Sequence, residues 1–310
     1  MNTILTFSEF VDYVRENIRK DWWEDRDLEI RKILKNNGVE LTALLLTRED
    51  THISPTLYLE DFYEGYRESD QADPDLWIRR IRQGFEEAEE KMDMVPMPEF
   101  GSFESMRDRI VFRLIHYERN RKFLEGCPHI RLHDLAVTFR CMVSLNEDAV
   151  SSAAVTEEQM EYWGVGVKEL MSAAGRNTPK LLPGVIIPMG DYMMENSGYR
   201  PEGQDMLYIA TNRQMVFGAA AILYEGFLDG FARDLGTDFY LLPSSVHEFL
   251  FVPDRGEFPE EELASMVREV NEAVVSPEEV LSDSVYHYSR KEGRLTRCGC
   301  GSTADTFIVS

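Results

Sequence analysis

Leu41-Thr42-Ala43-Leu44-Leu45-Leu46, followed by Glu49-Asp50 and Ser54, lines up at an offset of 98 residues with Phe139-Arg140-Cys141-Met142-Val143-Ser144, Glu147-Asp148 and Ser152. Each copy reads as strand, acidic turn, strand and then helix. Upstream of the first copy, Asn36-Asn37-Gly38 separates two apolar runs, and an Asn-Gly pair supplies the positive φ angles that close a β-hairpin. The spacing predicts a helix from about residue 6 to Trp22, opened by the capping box Thr6-x-x-Glu9. It also predicts strands over 28–34, 39–46 and 52–58, and helices over 59–68 and 75–92. In the second copy Thr156-x-x-Gln159 opens a helix that buries Met160, Trp163, Val167, Leu170 and Ala174, and Asn177-Thr178-Pro179 after Gly175 reads as its exit turn.

Two later stretches keep a similar order: 206–211 followed by a helical run over 219–235, and strands 238–242 and 246–252 followed by a helix over 260–274. Repeated strand-strand-helix units imply an α+β fold, mainly antiparallel sheet with helices packed on one face. The expected organisation is an N-terminal unit over 1–98, a second over 99–189, a loop or linker over 190–204, and a C-terminal unit over 205–310. Met94 to Pro98 breaks the first unit's pattern, Ser276-Pro277-Glu278-Glu279 reads as a short last helix, and the tail after Gly293 reads as mobile. A dinucleotide-binding reading lacks its glycines: Gly164-Val165-Gly166 has no third glycine.

Fifty-six acidic residues against 33 basic ones, a net charge of −23, repel phosphate backbones and anionic lipid, which disfavours direct nucleic-acid binding. No apolar run reaches the roughly 20 residues of a bilayer helix, and the N-terminus has no secretion signal. Four cysteines are too few for a disulfide framework in 310 residues. The expected address is the cytoplasm.

The strongest candidate for chemistry is Pro243-Ser244-Ser245-Val246-His247-Glu248, at the mouth of the apolar run Phe249-Leu250-Phe251-Val252. Ser244, Ser245, His247 and Glu248 supply a nucleophile, a base and an acid. On a regular strand, however, Ser245 and His247 stand about 6.6 Å apart and Glu248 points the other way, so a relay needs distortion. Pro243-Ser244-Ser245 also reads as a turn with hydroxyl caps. His247-Glu248 is no zinc helix, because position 251 is Phe. Cys127-x-His129-x-x-x-His133 gathers metal-ligand types, but Pro128 and strand-like flanks oppose joint coordination, and Cys298-Gly299-Cys300 has no second pair. No cofactor is expected. Arg107, Arg109, Arg113, Arg119 and Arg121 could receive an anion or an acidic partner, although pairing with the chain's own acids competes.

Tyr162-Trp163-Gly164-Val165 with Ala173-Ala174 and Asn177-Thr178, the run from Phe239 to Glu248, and Tyr286-His287-Tyr288 resemble an uncharacterised bacterial family, a domain of unknown function seen in gut anaerobes and among genes of mobile elements. The resemblance reaches to about residue 295 and implies no catalytic residue. The leading functional expectation is a non-enzymatic acidic binding protein that engages a protein partner. The alternatives are an acidic nucleic-acid mimic that inhibits a defence nuclease, and a hydrolase using Ser244 or Ser245 with His247.

Overall fold

The computed structural model describes residues 4–19, 27–47, 55–69, 73–93, 101–145, 150–200, 207–299 and 307–308. It divides into two compact units, one of residues 1–35 and 39–97, the other of 36–38 and 98–310.

In the first unit, α1 (Phe7–Asn17) starts where the Thr6 hydroxyl accepts from Glu9 N and the Glu9 carboxylate accepts from Thr6 N. It stops at Asn17, and Trp22 lies outside the described residues. Strands β1 (Asp27–Leu34) and β2 (Glu40–Thr47) pair antiparallel, and β3 (Thr56–Tyr58) pairs with β2. Between β1 and β2, Asn37 and Gly38 take φ of 59° and 74°, as the Asn-Gly pair demands. Helices α2 (Leu59–Glu68) and α3 (Pro74–Asp93) complete the unit, and Phe10, Val14, Leu44, Leu59, Tyr66, Ile81 and Phe85 form its core.

The second unit begins with α4 (Phe103–Met106), β4 (Ile110–His116), α5 (Arg121–Leu124), β5 (His129–Leu132), β6 (Leu135–Leu145) and β7 (Val150–Ala154). Strand β6 pairs antiparallel with β4, β5 and β7, and its register slips between Met142 and Ser144. The order β2-β3-α2-α3 recurs here as β6-β7 followed by α6 (Glu157–Trp163) and α7 (Val167–Leu181), although β2 pairs with two strands and β6 with three. The acidic turns Glu49-Asp50 and Glu147-Asp148 lie outside the described residues.

Where one helix was expected from Thr156 there are two, because Gly164 ends α6 in the left-handed conformation (φ 66°) and Gly166 caps α7. Helix α7 then runs past Gly175 and through Asn177-Thr178-Pro179 rather than exiting there. Asn177 Nδ2 donates to the Arg107 and Ile110 carbonyls, and the Thr178 hydroxyl accepts from Phe112 N while donating to Ala174 O. These bonds stitch the last turn to β4 and outweigh the backbone hydrogen bond that Pro179 cannot make.

Strand β8 (Gly184–Pro188), α8 (Met189–Ser197), β9 (Tyr208–Asn212), α9 (Phe227–Leu235), β10 (Phe239–Pro243), β11 (Phe249–Pro253), α10 (Glu260–Ala273), β12 (Tyr286–Ser289), β13 (Arg294–Arg297) and β14 (Phe307–Ile308) follow. The strands form a seven-stranded antiparallel sheet in the order β14-β13-β12-β10-β11-β9-β8. One apolar core takes Phe112, Leu114, Val137 and Phe139 from the smaller sheet, Leu170 and Ala174 from α7, and Phe239, Phe249, Phe251 and Leu295 from the larger. The mixed α+β class is as expected. The other face of the larger sheet packs Leu242, Val252 and Val285 on Leu263 and Val267 of α10, so this sheet carries helices on both faces rather than on one.

Further corrections each have a specific cause. Residues 190–200 are not a linker: α8 occupies 189–197, closed by Gly198 at φ 68°, and 201–204 lie outside the described residues. The run over 219–235 splits into a 3-10 turn, Gly218–Leu223, and α9, with Gly226 left-handed between them. Residues 276–279 form a turn rather than a helix, because Asn36 and Asn37 take the carbonyls of Glu278, Pro277 and Val280. Of the tail beyond Gly293, Arg294–Arg297 pair with β12 and Leu295 is buried, while 300–306 and 309–310 lie outside the described residues.

Candidate functional site

Ser244 to Glu248 is the turn that closes the β10–β11 hairpin, whose last pair is Pro243 with Phe249. The expected strand over 246–252 therefore begins only at Phe249. Both Ser244 N and Ser245 N donate to the Glu248 carbonyl, at 3.3 and 3.2 Å. The Ser245 hydroxyl donates to Glu248 Oε1 at 2.9 Å and accepts from His247 N at 3.0 Å. That oxygen is buried and used on both sides, as in a turn capped by its own side chain.

The His247 ring faces elsewhere. Its Nδ1 accepts from Phe217 N at 3.3 Å, which puts the proton of a neutral ring on Nε2, 3.5 Å from Glu279 Oε1. Its carbonyl accepts from the Thr211 hydroxyl at 2.7 Å. Ser245, His247 and Glu248 thus share one turn, but the imidazole and the serine hydroxyl do not meet, and no Ser-His relay is assembled. Ser244 contributes its backbone N–H.

What the turn does hold is Phe217. Asn212, fully buried, gathers the loop after β9: its Oδ1 accepts from Gln214 N and Val216 N, and its Nδ2 donates to Val216 O at 2.8 Å. The loop so wired carries Met215 and Phe217 at φ of 52° and 56°, values costly for side chains of this size. Phe217 lies parallel to the His247 ring, centroids 6.4 Å apart. It also lies against two guanidinium groups, with Arg113 Cζ 4.9 Å and Arg140 Cζ 5.4 Å from its centroid.

Arg113 and Arg140 come from β4 and β6 and share the sheet face turned away from α7. Pairing sets Arg113 opposite Thr138, and Thr138 opposite His129, so the three form a row across β4, β6 and β5. Arg140, two residues along β6, donates through Nε and one Nη to the Ser152 hydroxyl and carbonyl, at 2.8 and 2.7 Å. The other arginines of the cluster seen in the sequence are tied down. Arg107 meets Glu104 and Asp108, Arg119 meets Asp283, Arg121 meets Glu118, and Arg109 donates to the Met142 and Val143 carbonyls. Arg113 is the exception: its Nε is buried without an acceptor, and its guanidinium meets no carboxylate among the described residues. Burial first, and then the like charge of Arg140, push its pKa down to about 9, against a weaker opposing pull from Glu278 and Glu279.

Residues 7–290 match the family described as Family of unknown function (DUF5688). The chain belongs to this family. No curated protein and no solved structure matches it.

Elsewhere in this DUF5688 chain, the metal-ligand types of the sequence are kept apart. His129 and His133 bracket β5, and four residues of strand separate them by about 13 Å. His129 Nδ1 donates to the Cys127 carbonyl at 2.8 Å, and burial raises the Cys127 thiol pKa. Among the described residues no group of three His, Cys, Asp or Glu side chains stands close enough to hold a metal ion. Cys298 is half-buried and Cys300 lies outside the described residues. Nor is any described helix long and apolar enough to cross a membrane.

Asp134, next to His133 in the sequence, centres a polar group of the second unit. Its carboxylate accepts from the hydroxyls of Ser282, Ser284 and Tyr286, with Arg297 3.9 Å away. Burial alone would raise its pKa, but the bonds from Ser282 and Tyr286, the charge of Arg297 and the bond from Ser284 outweigh that and lower it. Phe217, Arg140 and Asp134 all escape motif searching. The available signal was a charged residue inside an otherwise apolar strand, as in Ile110–His116 and Leu135–Leu145.

Proposed function

We propose that this chain is a non-enzymatic binding protein that engages a protein partner along the flank of α10. The carrying observation is an apolar stripe on α10 that continues past the face buried on the sheet. Leu263 and Val267 are buried against β10 and β11, while Met266, Val270 and Val274 remain 45%, 41% and 78% exposed. Spaced by four, Met266 and Val270 on the helix and Val274 at its C-cap extend over about 12 Å. Glu260, Glu261, Glu262, Glu269 and Glu272 rim the same helix, so the complementary surface is apolar with basic neighbours. A second copy docking by two-fold symmetry would set these carboxylates against themselves, which favours a different partner. A duplex-mimicking inhibitor is less well supported, since a nuclease channel reads charge and has no use for an apolar stripe. Free thiols at Cys127, Cys141 and Cys298 suit a reducing compartment, in keeping with work in the cytoplasm.

The test places a photo-crosslinking side chain at position 270 in cells producing the full chain, with Arg290 as an exposed control position. One discrete adduct, mapping to a basic segment of a different polypeptide and absent from the control, is the expected result. With that partner purified, Val270→Glu should weaken binding about tenfold or more, while unfolding stability changes by no more than about 0.5 kcal/mol. No adduct, or a second copy of the chain as the adduct, overturns the proposal.

A further inference from the structure

We infer that Arg113 and Arg140, layered on Phe217, form a seat for a small oxyanion bearing two negative charges, a phosphate or a dicarboxylate. A guanidinium with a buried, unpaired N–H is costly unless an acceptor comes to it. The described residues offer none to Arg113, although the other arginines of its cluster each find one. Of the two carboxylates whose charge reaches Arg113, Glu279 is turned to His247 Nε2, and neither it nor Glu278 forms an ion pair with Arg113 within 4 Å.

Two like charges are also held together here. Arg140 lies over the same Phe217 ring and spends Nε and one Nη on Ser152, which leaves its other Nη without an acceptor among the described residues. Contact with the ring holds both groups beside one another, 4.9 and 5.4 Å from its centroid, and guanidinium N–H donors not used by the protein can grip an oxyanion bidentately. The scaffold is rigid because Phe217 is held at φ 56° by the Asn212 loop and by the His247 turn, so the donors are set before any ligand arrives. A ligand here needs charge and small size; phosphate and dicarboxylate share that chemistry and differ in the shape of the charged group.

Thermal unfolding of the full chain is followed with increasing inorganic phosphate, and separately succinate, against chloride at matched ionic strength. A saturable rise in Tm with either anion is expected, the stronger one identifying the source of the oxyanion. Arg113→Met should weaken that response about 10- to 100-fold, and Arg113→Lys, which keeps the charge without the fork, should fall between. Arg121→Met, whose guanidinium already has Glu118, should respond like the natural chain. Without anion, Arg113→Met should unfold at the same temperature or higher, because an uncompensated charge has been replaced by an apolar chain of similar length. The inference fails if the natural chain responds to neither anion, or if Arg113→Met keeps the full response. It fails equally if Arg113→Met lowers the anion-free Tm by more than about 5 °C, which would make the guanidinium a structural prop.

Discussion

Gly218→Ala should destabilise the chain by about 3 kcal/mol or more, among the largest single-methyl effects the fold can show. A Cβ at this position would press into the Thr211 hydroxyl and the His247 carbonyl oxygen, and would stand 2.9 Å from Asn212 N. Two of these three obstacles are backbone atoms, which cannot step aside as a flexible side-chain end would. The methyl would also wedge apart the 2.7 Å bond between Thr211 and His247, the one that ties β9 to the turn before β11. Gly230→Ala in α9 is the internal control. Its Cβ meets nothing within 4 Å, so it should leave stability unchanged or raise it by up to about 1 kcal/mol through helix propensity. Urea unfolding of the two variants side by side distinguishes loss of a close backbone approach from any general intolerance of glycine replacement. Equal midpoints for both would show that the segments do not approach as described.

Asp134→Ala should cost a comparable amount, about 3–5 kcal/mol, by a different route. The carboxylate is 7% exposed and takes three hydroxyl donors, from Ser282, Ser284 and Tyr286. Removing it leaves the buried hydroxyls of Ser282 and Tyr286 without their acceptor and Arg297 without its nearby charge. Tyr286, whose pKa is raised well above the usual tyrosine value by burial and then by Asp134, stays neutral and remains a donor throughout. The effect has a pH signature. Because the folded pKa of Asp134 is lowered, its contribution is fully present above the unfolded aspartate value, about 3.9. It is lost as pH falls through the lower folded value. The stability gap between the natural chain and Asp134→Ala should therefore be constant from neutral pH down to about pH 4 and close below it. A gap that closes near pH 6 would point to a histidine instead.

Local chemistry was legible in the sequence and long-range wiring was not. Thr6-x-x-Glu9 and Asn37-Gly38 declare themselves because a cap or a tight turn is decided by residues a few positions apart, and both appear where expected. The helix break at Gly164 was read as a nucleotide-loop near-miss, when a left-handed glycine is a helix end in its own right. The turn at 276–279 and the continuation of α7 through Pro179 are settled by side chains distant in sequence, Asn36 and Asn37 in one case, Asn177 and Thr178 against β4 in the other. At the site, the serine, histidine and glutamate were visible and their relation was not. A strand geometry kept Ser245 and His247 on one face; the turn actually formed sends the imidazole to Phe217 and Glu279. Phe217 had no local signal, since a positive φ at an aromatic residue is imposed by Asn212 and not by its own preference. Arg113 stood in the arginine cluster, but only the structure separates it from four neighbours that have partners.

On this account the hydroxyl of Ser245 is a structural pin, holding the turn that sets His247 beside Phe217, whose ring lies against the two arginines. The urea midpoint of Ser245→Ala tests that most directly. Loss of the hydroxyl should leave His247 N–H without its acceptor and Glu248 without its donor, lowering the midpoint by the equivalent of about 1–3 kcal/mol. A midpoint equal to that of the natural chain would contradict the account, because the hydroxyl would then carry no share of the turn's stability.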